Sequence, residues 1–79
     1  MKFRKRPIVV EAVQFSGEDL QAMELGLSQK FDGQWTIQTL EGTMRCNPGD
    51  WIVTGIKGER YPVAPGIFAA TYEPVEQPS

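Results

Sequence analysis

The sequence predicts an α+β fold: a bent antiparallel sheet, or a partly open barrel, of five or six short strands with one short helix after the first strand. Three observations predict it. Short runs of β-branched and aromatic residues fill the second half of the chain. Turn signals separate these runs at Glu41-Gly42, Asn47-Pro48-Gly49-Asp50 and Lys57-Gly58, as in an antiparallel meander. One segment, about residues 17–26, has the apolar spacing of a short helix.

The length of 79 residues predicts a single small domain, which we place at residues 1–75, followed by a frayed tail at residues 76–79. A domain of this size buries only about 60–65% of the surface of its unfolded chain. Cys46 is the only cysteine and there is no histidine, which excludes an intrachain disulfide and a Cys/His zinc site. We therefore expect a homo-oligomer, because association is the remaining route to further burial.

The first strand is predicted over residues 2–15, and it is expected inside the sheet because Ile8–Phe15 has apolar residues on both faces. The helix that follows is expected to start at a weak capping box on Ser16 and to end at Gly26. Its apolar stripe consists of Leu20, Met23 and Leu27, which should cover one face of the sheet.

The remaining strands follow from alternation and from turn residues. A polar loop at residues 28–34 should precede the strands at residues 35–40 and 43–46. The run at residues 51–56 is nearly all apolar and is expected to be central, whereas Pro62 marks residues 59–63 as an edge strand. A helical turn at residues 65–68, with Ile67 and Phe68 pointing inward, and a last strand at residues 71–75 complete the prediction.

The charge is unevenly distributed along the chain. Residues 1–6 contain four of the eight basic residues, and the remaining chain has four basic residues against ten carboxylates, a formal charge of −6. A negative body disfavours nucleic acid as a partner, and the basic segment is interpreted as a solvated lead-in to the first strand. No apolar run approaches the roughly 18 residues of a membrane span. With a lone cysteine suited to a reducing compartment, this predicts a cytoplasmic protein without a membrane partner.

The sequence contains no recognisable catalytic constellation. Cys46 has no imidazole partner to activate it, and the carboxylates are scattered over turns and helix ends. Gly55-Ile-Lys-Gly58 matches a GxxG nucleic-acid loop, but its flanks are strands, which favours a hairpin turn. We therefore predict a protein that is not an enzyme, with no catalytic, cofactor-binding or metal-ligating residue.

Aromatic and basic residues near the sheet provide the candidate partner or ligand surface. Trp51 and Phe68 are expected in the core, because a small domain needs its large aromatics there. Stacking and charge-assisted contacts instead favour a surface composed of Trp35, Arg45, Lys57, Arg60 and Tyr61.

Four stretches together resemble a family of small proteins of unknown function encoded by phages and prophages. They are Lys2–Phe15, the segments Glu41-Gly-Thr-Met-Arg45 and Pro48–Val63, and Ile67-Phe-Ala-Ala-Thr-Tyr-Glu73. The likeness covers most of the chain and is weakest at residues 18–34. It implies a phage accessory protein in the bacterial cytoplasm, without an activity that could be transferred. Family members often have a cysteine after the Tyr-Pro pair, where this chain has Val63.

Three functions follow as hypotheses. The leading one is a non-enzymatic accessory protein that binds a host or phage protein, which should show an exposed apolar patch. The alternative is an oligomer that sequesters a small molecule, such as a nucleotide signal, where aromatic and basic residues meet between subunits. A nucleic-acid-binding module is the third, and it would show salt-dependent binding.

Overall fold

The computed structural model describes residues 1–3 and 8–75, so the predicted tail at residues 76–79 and part of the predicted first strand lie outside the described residues. The elements in chain order are β1 Glu11–Gln14, α1 Asp19–Leu25, β2 Ser28–Gln29, β3 Trp35–Thr39, β4 Gly42–Cys46, β5 Trp51–Thr54, β6 Arg60–Val63 and α2 Pro65–Thr71. The strands form two antiparallel sheets, sheet A in the order β1-β5-β6 and sheet B in the order β2-β3-β4.

The prediction of one bent sheet or a partly open barrel with a single helix is wrong. The described strands form two separate three-stranded sheets, and a second helix, α2, lies near the C-terminal end. β3 and β6 approach each other, but no ladder between described strands joins the two sheets. Alternation in the sequence predicts which residues share a face of a strand, but it does not determine which strands are neighbours.

The central position of β5 in sheet A is confirmed. Ile52 and Val53 point to opposite faces of the strand and both are buried, so β5 is covered on both sides. Pro62 lies in β6 at the sheet edge, as predicted. β1 is predicted inside the sheet, but it is the other edge strand and comprises only Glu11–Gln14. The apolar run before it, Ile8–Val10, is not part of the strand.

The main core lies between sheet A, sheet B and α1. Its buried members are Phe15, Ala22, Leu27, Ile37, Cys46 and Ile52. Trp35 packs against this cluster, with its ring edge-to-face on Phe15 at a centroid distance of 5.7 Å. In sheet B, Trp35 is paired with Cys46 and Ile37 with Met44, so this face points to the core. The opposite face is polar, and there the Thr43 hydroxyl donates to Gln38 Oε1 at 2.8 Å.

The position and the end of α1 are as predicted, but its apolar stripe is not. Gly26 ends the helix in the left-handed conformation, with φ of +78°. Leu20 and Met23 are largely exposed, and the helix buries Ala22 instead. The predicted capping box at Ser16 is also wrong, because the helix begins after Glu18 and no described side chain caps it. A helix of seven residues has only two turns, so Leu27 lies beyond its end and cannot extend the stripe.

Glycines at the predicted turns have the required backbone conformation. Gly42, Gly49 and Gly58 all have positive φ. Asp50 supports the second of these turns, since its carboxylate accepts a hydrogen bond from the Asn47 backbone N–H at 2.9 Å.

The helix α2 lies where the sequence predicts a helical turn at residues 65–68 and the start of a last strand at residues 71–75. The strand predicted at residues 71–75 does not form, because the helix continues from Pro65 to Thr71 and the chain after it pairs with no described strand. Proline favours the first turn of a helix, where its missing N–H has no partner. Phe68 points towards sheet A as expected, but Ile67 is exposed. Within the described part of the chain, neither helix has the length and hydropathy that a membrane-crossing helix needs.

Candidate functional site

The five predicted surface residues do not form one surface. Trp35 packs on the core, whereas Arg45 is exposed and pairs with Thr36 in sheet B. Lys57 lies in the turn between β5 and β6, and Arg60 and Tyr61 lie in β6. The predicted surface is therefore divided between both sheets and a turn.

Arg60 and Tyr61 do contribute to one common cleft, which we call the hairpin cleft. It has a volume of about 340 Å³ and lies between the β3–β4 hairpin and β6, lined by Thr39, Leu40, Glu41, Met44, Glu59, Arg60, Tyr61 and Pro62. Arg60 Nη1 donates to the Leu25 backbone oxygen at 2.9 Å. This bond ties the guanidinium to the end of α1.

The outer face of sheet A is covered by a stack of aromatic rings. The Trp51 and Phe68 rings are nearly parallel at 4.3 Å, and the Phe68 and Tyr72 rings follow at 5.0 Å. Trp51 and Phe68 are half-buried in this stack rather than in the main core, where they are predicted. The stack fixes α2 and the chain that follows it against sheet A.

Two tyrosines extend this contact through their hydroxyls. The Tyr61 and Tyr72 oxygens lie 3.4 Å apart. This hydrogen bond, followed by burial, raises the pKa of Tyr61 to about 12. The Tyr61 phenol therefore remains neutral at physiological pH and links β6 to the chain after α2.

A longer groove lies beside the aromatic stack, and we call it the terminal groove. One part, of about 530 Å³, is lined by Ile8, Val9, Val10, Gly55, Ile56, Glu59, Tyr61, Thr71, Tyr72, Glu73 and Val75. A second part, of about 310 Å³, shares Ile8–Val10 with the first and adds Ala12, Trp51, Phe68 and Pro74. Both parts also share Tyr72, Glu73 and Val75, so they lie side by side between Ile8–Val10 and the chain after α2, and we describe them together as one groove.

The terminal groove is apolar and acidic. Val9, Ile56 and Val75 are exposed by 74%, 72% and 61%, although they are aliphatic. Among the residues that the structure describes, the charged side chains on its lining are Glu59 and Glu73. Glu59 Oε2 accepts a hydrogen bond from the Lys57 backbone N–H at 3.0 Å, which holds that carboxylate at the rim. The groove therefore matches a ligand with apolar side chains and positive charge.

This groove is not among the features that the sequence predicts. Ile8–Val10 is predicted as part of a buried strand and residues 71–75 as another strand, which assigns their side chains to the interior. The groove could be anticipated only from the order of the strands in the sheet. In sheet A, β5 lies between β1 and β6, and Ile8–Val10 and the chain after α2 line the same groove.

The groups capable of covalent or metal chemistry are isolated. Cys46 is buried, and burial followed by the nearby Asp50 carboxylate raises its pKa to about 11, so the unreactive thiol form predominates. In the part of the chain that the structure describes, no three side chains of His, Cys, Asp or Glu are grouped so that they could hold a metal ion.

Comparison with protein-family models, with curated proteins and with solved structures finds no significant match to this chain.

Proposed function

We propose that the protein is a non-enzymatic accessory protein that binds another protein through the terminal groove. The observation that supports this most strongly is the set of exposed aliphatic side chains along the groove: Ile8, Val9, Ile56 and Val75. Contiguous apolar surface on a small domain marks an interaction site more often than isolated exposed residues do. The resemblance to phage and prophage proteins suggests that the partner is a host or phage protein in the bacterial cytoplasm.

The shape and charge of the groove define the chemistry of the partner. Two neighbouring depressions lined by the same two chain segments provide the length that an extended or helical segment of a partner needs. Glu59 and Glu73 favour basic side chains next to the apolar ones. The expected partner segment is therefore apolar and basic.

The proposal is tested by capturing partners from bacterial cells with matched variants. Val9→Glu places a charge in the groove, and Leu20→Glu makes the same change at an exposed aliphatic residue on α1. Both variants should fold, because both side chains are already largely exposed. The partner bound by the wild-type protein and by Leu20→Glu should be lost from Val9→Glu. Equal capture by both variants would place the partner elsewhere.

A second candidate is favoured by the hairpin cleft, which Arg60 and Tyr61 both line and whose volume is typical of small-ligand sites. Among the described residues of the cleft, Arg60 is the cation available to a small anionic molecule such as a nucleotide, and it would have to outweigh Glu41 and Glu59 on the same lining. Isothermal titration with a panel of nucleotides, comparing wild type with Arg60→Gln, tests it. Binding that depends on Arg60 would favour this function over protein binding.

A further inference from the structure

Residues 1–6 have the chemistry that the terminal groove lacks. The segment contains Lys2, Arg4, Lys5 and Arg6 together with Met1 and Phe3, and both Met1 and Phe3 are exposed. When such a segment binds in an extended form, Met1 and Phe3 lie on one side and Lys2 and Arg4 on the other. Residues 1–4 therefore alternate apolar and basic side chains, and Lys5 and Arg6 add two further positive charges.

The terminal groove has the chemistry that complements these apolar and basic side chains. Its described walls are largely aliphatic and aromatic, and the charged side chains among the described lining residues, Glu59 and Glu73, are both acidic. Beyond residue 6 the chain has a formal charge of −6 against +4 for residues 1–6, so electrostatic attraction brings the segment of one molecule to the body of another.

We propose that residues 1–6 of a second copy occupy the terminal groove, so that two copies exchange these segments in a symmetric dimer. A second copy fits better than the same chain, because Ile8 is itself part of the groove wall. Met1 and Phe3 are also almost fully exposed in the structure, so these residues do not lie in the groove of their own chain. In a two-fold dimer each copy contributes one segment and one groove, which satisfies both sites.

The dimer rests on the same groove as the proposed function and therefore regulates it. A protein partner with an apolar and basic segment must displace the segment of the second copy. Self-association keeps the apolar groove covered until such a partner is present.

Complementary charge reversal tests the exchange on the full chain. Sedimentation equilibrium should show a dimer for the wild-type protein. Lys2→Glu/Arg4→Glu lowers the formal charge of residues 1–6 from +4 to 0, and Glu73→Arg changes the summed charge at positions 59 and 73 from −2 to 0. Each should weaken dimerisation by roughly tenfold or more. The matched controls Lys30→Glu/Arg45→Glu and Glu24→Arg carry the same charge changes at exposed positions away from the groove, and they should leave the dimer unchanged.

Mixing the segment variant with the groove variant provides the decisive result. In a mixed dimer, the two glutamates introduced at positions 2 and 4 of one copy meet the arginine introduced at position 73 of the other, so opposite charges face each other again at that contact. The unchanged basic segment of the groove variant meets the unchanged acidic groove of the segment variant, so the mixture should recover a heterodimer. A wild-type monomer, dimers insensitive to both reversals, or no recovery on mixing would each overturn the exchange. The proposed function is judged separately, since partner capture that depends on Val9 stands even if the protein is a monomer.

Discussion

Cys46 is a packing residue at the residue scale. Its side chain is buried in the main core beside Phe15, Ile37 and Ile52, and its thiol has a raised pKa. A thiol needs the thiolate form to react, and here both burial and Asp50 oppose that form. The same environment links its ionisation to stability.

We expect Cys46 to react slowly with iodoacetamide at pH 8, at a rate limited by opening of the fold. The pKa is about 11 in the folded protein against 9.0 for the reference thiol. Its contribution to stability is therefore complete below pH 9 and is lost as the pH rises towards 11. Mass spectrometry of the alkylated protein, with and without denaturant, measures the reaction. Rapid alkylation of the folded chain would show that the thiol is accessible.

Cys46→Ser should lose part of this alkaline sensitivity and keep partner binding. Serine is smaller and more polar, so a modest loss of stability is expected from packing. Urea unfolding at about pH 8 and about pH 10 should show a smaller pH dependence than in wild type. A folded variant that no longer captures the partner would contradict a purely structural role.

At the element scale, the turn after β5 depends on backbone conformation. Gly58 has φ of +83°, and a Cβ there would meet no described atom within 4 Å. The cost of a substitution is therefore conformational rather than steric. Gly66, in the first turn of α2, also has open space for an added methyl group but has no positive φ, which makes it a matched control.

Gly58→Ala should lower the free energy of unfolding by about 1–2 kcal/mol. Gly66→Ala should be neutral or stabilising by up to about 1 kcal/mol, since alanine is the better helix former. Thermal or urea unfolding of the pair measures the difference. The turn assignment would fail if both variants had the same stability.

The outer edge of β1 is closed by a side chain of α1. Phe15 N–H donates to the Asp50 backbone oxygen at 2.8 Å, so in an antiparallel ladder the neighbouring Gln14 directs its backbone groups outward. Gln21 Nε2 donates to the Gln14 oxygen at 2.8 Å, and Gln21 Oε1 accepts from the Ser16 N–H at 2.7 Å. Gln21 thus takes the place of a neighbouring strand.

Gln21→Ala should lower stability by about 1–2 kcal/mol, because it removes both backbone contacts at once. Gln38→Ala, on the polar face of sheet B, should cost less than about 0.5 kcal/mol. Urea unfolding compares them. Equal effects would show that the Gln21 bonds do not contribute to the stability of the β1 edge.

The elements that the sequence predicts best are those with local signals. The strands around Trp35, Arg45 and Ile52, and the turns at Gly49 and Gly58, follow from alternation and from glycine and proline. Long-range packing determines the position of β1 at an edge, the separation into two sheets and the full length of α2. A short apolar run in the sequence does not indicate how the element that contains it will pack. The terminal groove could not be predicted for the same reason, because its two walls are distant in the sequence and become neighbours only in the folded chain.

For the whole molecule, exposed apolar surface is the observation on which the proposed association rests. Large hydrophobic side chains are exposed along the described chain, and Ile8, Val9, Ile56 and Val75 among them line the terminal groove. A small domain with uncovered apolar surface gains further burial from a partner.

The central claim is that the terminal groove binds an apolar and basic protein segment. The most direct measurement is an NMR titration of the isotope-labelled Lys2→Glu/Arg4→Glu variant, in which the proposed exchange is weakened and the groove itself is unchanged. The titrant is a peptide of the sequence of residues 1–6, and in the control peptide glutamate replaces each lysine and arginine. We predict concentration-dependent shifts at Val9, Ile56, Tyr72 and Val75 with the basic peptide and none with the control. Shifts confined to the hairpin cleft, or no shifts with the basic peptide, would contradict the account.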